Sequence, residues 1–369
     1  MIKKHKRVRK GWMRRTSRIY LTNTVNKGKI ELLKHFLNHY QNAVNYCVQR
    51  FWSNKDFTDE LATKETTNNI RERFGFTARL SQCVAKQSKE TVNSQKKKSG
   101  KEQRMPRMKH QAANLDSRFV TIESFDGYFD MCLKLGSGVP NIVVPFNWTE
   151  HTNKFRNGGW ELAKSIRLGH NENGLFIDLI FEKQRPLKRQ DGKLIGIDRG
   201  FNSMLYASDG QQIGTELKDK IKNAGKRRKS YHHFITTEEN RYLKQLNLNN
   251  IKTIALENLK KVKMNKHGKF SCNMNRLLSF WHYAKVGKHL AQICEEQGIP
   301  LVLKNPWKTS QRCPVCGNID RRNRRNEKFL CLGCGHTDNA DHVGAKNLEF
   351  LGLAEAYSLR SLPSKFLWE

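Results

Sequence analysis

Apolar residues recur at helical spacing over residues 30–52, where Ile30, Leu33, Phe36, Leu37, Tyr40, Val44 and Cys47 form one stripe. The spacing predicts a helix there, and a second around residues 78–91. The polar stretch 84–110 loses this periodicity and reads as a loop or linker. From residue 118 the rhythm shortens to strands, at 119–122, 128–135, 141–144, 162–167 and 175–181. Asn171, Glu172, Asn173 and Gly174 supply turn chemistry between the last two, which predicts a hairpin. The N-terminal part therefore reads as a β-domain interrupted by a helical insertion, ending in the polar segment 185–191.

The C-terminal half has another order. Strands are expected at 193–197, ending in Asp198, and at 203–207 and 211–215, with a turn at Ser208, Asp209 and Gly210. A polar helical region follows at 216–245, then a strand at 253–256 ending in Glu257. An amphipathic helix is predicted over 276–297, stopped by Gly298 and Pro300, then a strand at 301–303 and a last helix over 339–357. Setting aside a cysteine-rich segment before that helix, the order β-β-β-α-β-α-β-α suits an α/β, ribonuclease-H-like core, a mixed sheet between helices.

Composition adds a partner class. The 369 residues allow two or three domains, and 37% hydrophobic content with seven Trp excludes a disordered chain. The 68 Lys and Arg against 34 Asp and Glu leave +34, an excess that calls for a polyanion, most commonly nucleic acid. Residues 1–30 hold eleven Lys or Arg and no acid, and 84–110 hold nine against Glu90 and Glu102. One such run is ordinarily a solvated face; two, on this net charge, favour nucleic acid. Trp12, Arg14 and Arg15 are expected either to touch DNA or RNA or to form a basic tail ordered on binding. Lys226, Arg227, Arg228 and Lys229 are expected to face phosphate without base specificity. The apolar run 174–181 contains Asp178 and falls far short of the ~20 residues of a membrane helix. No apolar run follows the basic N-terminus, so no secretory signal is read.

Four of the nine cysteines form two C-x-x-C-G knuckles, Cys313/Cys316 and Cys331/Cys334, fourteen residues apart. Four thiolates make a closed tetrahedral site, so one structural Zn²⁺ is expected; a redox C-x-x-C would not come in pairs. Arg321, Arg322, Arg324 and Arg325 crowd the segment between the knuckles and give it a basic tip. Three acids are the second constellation. Asp198 and Glu257 end strands and Asp341 begins the last helix, places that this topology brings to one end of a sheet. A single acid there is ordinarily a cap or a solvated turn residue. Three together repel one another and call for divalent cations, and a Mg²⁺ pair about 4 Å apart implies phosphodiester hydrolysis. Asp338 rivals Asp341, or caps the last helix.

At these residues the chain resembles the RuvC nuclease domain of the transposon-encoded TnpB family and of compact type V CRISPR effectors. The motifs are GIDRG, IALENL, FWHYAKVGKHL, NPWKTSQRCPVCG, CLGCG and NADHVGAKNL, in family order over the last ~180 residues. The resemblance implies a RuvC-like domain over 191–369 with a zinc ribbon inserted at about 308–338. Before it would lie a β-barrel-like (WED-type) domain over 1–190, with a helical (REC-type) insertion at about 31–112. It implies an RNA-guided, Mg²⁺-dependent DNA endonuclease with Asp198, Glu257 and Asp341 as its catalytic triad and two Mg²⁺ ions. The partners implied are a guide RNA, of transposon-end or CRISPR type, and double-stranded target DNA. Arg324 matches an arginine that the family places near the active site, whereas Arg199 stands where the family often has Leu. No second nuclease motif is visible, so one cleft would cut both strands in succession, in a cytoplasmic protein held at the nucleoid through DNA. Two other readings are a guided repressor that has lost cleavage and an RNA-independent resolvase or transposase. The retained acids weigh against the first, the basic N-terminal half against the second.

Overall fold

The structure, a computed structural model, describes residues 11–21, 23–53, 61–97, 104–223, 228–259, 275 and 281–362, with the backbone alone for 61–64 and 228–230. The chain divides into two compact units, Met1–Gln184 and Arg185–Glu369.

In the first unit the apolar stripe of α1 (Lys27–Ser53) turns inward, burying Leu33, Phe36, Leu37, Tyr40, Val44 and Cys47. Each fully buried Leu or Phe contributes about 1.5–3 kcal/mol. Two further helices pack with it, α2 (Leu61–Phe74) and α3 (Ala78–Lys96), the latter capped by the Thr77 hydroxyl, which accepts from the Leu80 N–H. Helix α3 runs five residues past the expected end, so the basic stretch read as a linker is helical up to Lys96. Helix α2 escapes the apolar pattern because its sequence, LATKETTNNIRERF, offers Ile70 as its single large aliphatic side chain beyond the first turn.

Among the described residues, antiparallel strands complete this unit as two sheets, in orders β1-β7-β6-β2 and β3-β4-β5, and not as one closed ring of hydrogen-bonded strands. Their ranges are β1 (Trp12–Tyr20), β2 (Gln111–Leu115), β3 (Val120–Ser124), β4 (Met131–Leu135), β5 (Ile142–Phe146), β6 (Glu161–Asn171) and β7 (Gly174–Gln184), with helix α4 (Glu150–Asn157) between β5 and β6. The expected hairpin is present, with Asn171 opposite Gly174. Trp12, Arg14 and Arg15, expected either to touch nucleic acid or to form a tail ordered on binding, lie in strand β1. Its inward positions are Met13, Ser17 and Ile19, too few apolar residues to signal a strand, while Arg14 and Arg18 point outward. Arg18 lies opposite Asp178 and grips it with two hydrogen bonds, at 2.7 and 2.9 Å, which accounts for the acid inside the apolar run of β7.

The second unit is built on a five-stranded sheet in order β10-β9-β8-β11-β12. Its strands are β8 (Lys193–Asp198), β9 (Leu205–Ala207), β10 (Gln212–Ile213), β11 (Ile251–Glu257) and β12 (Leu301–Lys304). Strands β8, β9 and β10 are antiparallel neighbours, whereas β11 runs parallel to β8 and β12 parallel to β11. The helical region after β10 is two helices, α5 (Leu217–Asn223) and α6 (Arg228–Leu243). Helix α7 (Tyr283–Glu296) precedes β12; the expected helical start at 276–280 lies outside the described residues. The cysteine module follows β12, with the small sheet β13 (Arg324–Arg325), β14 (Lys328–Leu330) and β15 (Thr337–Asn339), then helix α8 (Ala340–Leu353).

Helix α8 lies directly on β8. A Cβ on Gly196 would fall on the Ala345 carbonyl of α8, so only glycine permits this approach. We expect Gly196→Ala to lower the melting temperature by about 2–12 °C. Overpacking costs about 1–3 kcal/mol, and each kcal/mol moves a domain of this size by about 2–4 °C. Calorimetry checks this, and an unchanged transition would contradict the contact.

Candidate functional site

Because β8 and β11 are parallel and adjacent, with Ile197 opposite Leu256, the next residues, Asp198 and Glu257, finish side by side. Their carboxyl groups share a hydrogen bond. Burial pushes Asp198 well above the usual carboxylate range, and the charges of Glu257 and Asp341 add to this while Arg324 opposes it. Burial also raises Glu257, against the Asp198 hydrogen bond and the Arg199 N–H, which lower it.

Asp341 enters from the first turn of α8. Asn339 caps that helix by accepting the Asp341 N–H at 2.8 Å, so the cap is neither Asp338 nor Asp341. Asp338 turns elsewhere, to His342 Nδ1 at 2.9 Å and Lys346 Nζ at 3.2 Å. Burial raises Asp341, Arg324 pulls it down, Glu327 raises it and Lys218 lowers it, leaving it above its ordinary value. Arg324 Nη2 is 3.4 Å from Asp341 Oδ1, so the arginine singled out by resemblance stands beside the acids. The Asp198 carboxylate rests on the bare backbone of Gly344, where a Cβ would come within 3.2 Å of its carbon.

Arg199 carries a role that the sequence reading did not assign. Its N–H donates to Glu257 Oε1 at 2.8 Å, and its buried guanidinium donates to the Glu257 carbonyl and, at 2.9 Å, to that of Tyr283. One side chain thereby fixes the end of β11 to the start of α7. The available signal was an arginine beside an acid at the end of a buried strand. The acids suit a hard divalent cation: they are oxygen donors, Glu257 and Asp341 buried and Asp198 half-buried, and burial holds all three above their ordinary carboxylate range, which a cation would relieve. They are a looser set than the cysteines, since the three do not all come within 4.8 Å of one another as the thiols do.

The cysteine module is tighter. Cys313 Sγ lies 3.6 Å from Cys334 Sγ, and Cys316 Sγ lies 3.4 Å from Cys331 Sγ. A zinc tetrahedron with ~2.3 Å bonds has edges of about 3.8 Å, so the four thiols fit one ion. Burial pushes Cys313 up to about 12, whereas at Cys331 the N–H groups of Cys334 and Gly333 outweigh burial and bring it to about 7. Two asparagines that the sequence reading passed over anchor the module. Asn323, buried, donates to Gln311 O at 3.0 Å and accepts from Leu332 N–H at 3.0 Å, which joins the knuckles. Asn347 on α8 donates to Thr309 O and Arg312 O at 2.8 and 2.9 Å and accepts from Arg312 at 2.9 Å, which joins the first knuckle's approach to α8. Asn347 sits inside the last motif quoted and Asn323 beside Arg324, between the two knuckles, but nothing in their spacing marks them as anchors.

The remaining basic candidates are scattered. Arg14 pairs with Glu182 at 2.5 Å, and Arg15 lies over the Trp160 ring at 5.5 Å. Lys226 and Arg227 lie outside the described residues, and Arg228 and Lys229 begin α6. Among the described residues no helix is long and apolar enough to cross a membrane.

Residues 283–348, which contain all four cysteines and Asp341, match the family described as Cas12f1-like, TNB domain. The chain is 40% identical over 75 residues to the CRISPR-associated endodeoxyribonuclease Cas12f1 of Sulfoacidibacillus thermotolerans, 20% of this chain and 18% of that one. It is 31% identical over 101 residues to the Cas12f1 of Syntrophomonas palmitatica, covering 27% and 19%. It is 27% identical over 182 residues to the putative RNA-guided DNA endonuclease InsQ of Escherichia coli K12, covering 47% and 45%. The chain thus spans less than half the length of each of these relatives. Among solved structures, that of CasPhi-2 (Cas12j) bound to crRNA and phosphorothioate-DNA is similar over 92% of this chain and 91% of its own, at 9% identity and a TM-score of 0.45. The TnpB-like resemblance read from the motifs is borne out.

Two outcomes follow from the geometry. A carboxylate raised in the folded state stabilises below its unfolded pKa and loses that stability as pH rises through the folded value. Without metal, Asp198→Asn should therefore melt higher than wild type at pH about 8, by about 2–4 °C for each kcal/mol of relieved repulsion, with the gap closing as pH falls toward about 4. Millimolar Mg²⁺ should raise wild type and leave the variant unmoved. Equal melting curves throughout would contradict a strained acid cluster. Elemental analysis should find one zinc per chain in purified wild type, and Cys331→Ser should lose the zinc and unfold at a lower temperature while α8 keeps its packing on β8.

Proposed function

We propose that this chain cleaves DNA chosen by pairing with a guide RNA, hydrolysing a phosphodiester at Asp198, Glu257 and Asp341. The observation that carries this reading is the parallel β8–β11 pair, which sets two strand-end carboxyls in hydrogen-bond contact while α8 delivers a third. Support also comes from relatives named as an endodeoxyribonuclease and a putative RNA-guided DNA endonuclease.

Two Mg²⁺ ions held by the three acids would supply a nucleophilic water and offset charge on the leaving 3′ oxygen. The chain's own residues do the positioning. Arg199 fixes one Glu257 oxygen through its N–H and ties the end of β11 to the start of α7 through its guanidinium. Gly344 keeps the ground behind Asp198 free of side chain. Arg324, beside Asp341, balances charge where a phosphate approaches. The exposed Arg321, Arg322 and Arg325 of the zinc ribbon, with Arg228 and Lys229 of α6 and the neighbouring Lys226 and Arg227, track the strand backbone.

The first unit serves as the WED-type platform with α1–α3 as its REC-type insertion, gripping guide RNA and reading a short motif beside the target. Sequence is then read by base pairing and not by side chains. This assigns the +34 mainly to neutralising RNA and DNA backbones.

Sequencing the RNA that copurifies tests the guide: a discrete species with a constant scaffold and a variable end is expected. With that RNA and a matched duplex, wild type should cut in Mg²⁺ and Asp198→Ala should be slower by at least about 10³-fold, the loss of a principal catalytic group. An Asp198→Ala protein that cuts at the wild-type rate overturns the site. Wild type that binds the matched duplex and never cuts it identifies a guided DNA-binding protein instead.

A further inference from the structure

A cleft of about 280 Å³ opens at the start of α8, where Asn339 and Asp341 line it, and four further parts of the second unit complete its walls, the acid Asp219 of α5 among them. Asn202 and Ser203 lie in the β8–β9 connection, Gln212 in β10, Lys218 and Lys222 on α5, and Glu327 in the β13–β14 turn. On α5, Leu217 and Ile221 face the core and Lys220 bonds to Glu238 and Tyr242 of α6. That leaves Lys218 and Lys222, one turn apart, on the face that lines the cleft.

Two lysines in this relation repel by a few tenths of a kcal/mol. Their present partners return little. Lys218 donates to Asn202 Oδ1 and stands 3.9 Å from the half-exposed Glu327 carboxylate, and Lys222 is 3.2 Å from the well-exposed Asp219. Exposed pairs of this kind are worth about 0–1 kcal/mol. The arrangement is therefore poorly explained as a stability device. It is well suited to an anion with several oxygens that both ammonium groups reach at once, with the amides of Asn202 and Gln212 beside it as neutral donors. Lys218 already interacts with the charge on Asp341, so an anion in the cleft would sit next to the acid cluster and not at a remote site.

We propose that this cleft seats one backbone phosphate of the strand being cut, at a linkage neighbouring the scissile one, held by Lys218 and Lys222. The inference rests on the nuclease reading above and adds a subsite to it. Before nucleic acid arrives, Glu327 and Asp219 occupy the lysines; the incoming phosphate displaces them. The Glu327 carbonyl accepts the Ala340 N–H at 2.8 Å, so the cysteine module sets this wall of the cleft against the start of α8.

The test uses the guide-loaded, full-length protein and matched targets bearing one neutral methylphosphonate at successive linkages around the cut. In wild type one flanking linkage should slow single-turnover cleavage by about 10–100-fold, the loss of charge-assisted hydrogen bonds. K218A/K222A should show the same loss on natural DNA with guide-RNA binding unchanged, and the methylphosphonate and the variant together should cost no more than either. K218R/K222R, which keeps the charges, should recover most of the rate. Additive losses, or a K218A/K222A protein that cuts like wild type, overturn the subsite. If wild type cuts nothing, the nuclease reading fails, and acylation of lysines by an N-hydroxysuccinimide ester decides the subsite separately. Lys218 and Lys222 should become protected when the matched target is bound, and their continued labelling overturns the proposal.

Discussion

Helix α8 approaches strand β8 more closely than any side chain would allow. At Gly196 the space for a Cβ is taken by the helix backbone at Ala345, and one residue earlier in the helix Gly344 leaves just enough room for the Asp198 carboxylate. The rest of the second unit depends on this contact. It brings the start of α8, and with it Asp341, over the end of β8, where the parallel partner strand β11 has already placed Glu257. A wider helix–sheet spacing, normal for aliphatic packing, would leave two acids together and the third out of reach.

That proximity is costly. Desolvated carboxylates of like charge repel, and burial of an unpaired charge is worth several kcal/mol against folding. The described structure meets the cost in three ways: a hydrogen bond between Asp198 and Glu257, the Arg199 N–H and guanidinium at Glu257, and Arg324 beside Asp341. None removes the strain completely, since all three acids remain shifted toward their protonated forms. A site left short of positive charge is one prepared to take cations, which is the property the proposed chemistry needs.

How much of this could be read from the sequence depended on whether the signal was local. The cysteine knuckles are local: spacing of two, a following glycine, and the thiols duly converge. The three acids were legible as a set because each ends or begins an element whose apolar pattern is plain. Strand β1 was not, because its inward row is completed by Ser17, which buries its hydroxyl against Thr152, and its outward row is arginine paired across the sheet. Helix α2 lacks an apolar stripe for the same kind of reason. Arg199, Asn323 and Asn347 act by bridging backbone groups that are distant in sequence, and no periodicity encodes a bridge.

Those bridges also join the cysteine module to the acid cluster. Asn347 holds the approach to the first knuckle against α8, Arg324 reaches from the module to Asp341, and the β13–β14 turn receives the Ala340 N–H at the helix start. The position of Asp341 is therefore fixed from two sides, by the glycine contact beneath α8 and by the module above its first turn. Loosening the thiol cluster removes the second constraint while leaving the first. The acid would then keep its place along the helix but lose its orientation toward Asp198 and Glu257. A closed four-thiol cluster can in this way orient a carboxylate that it does not touch.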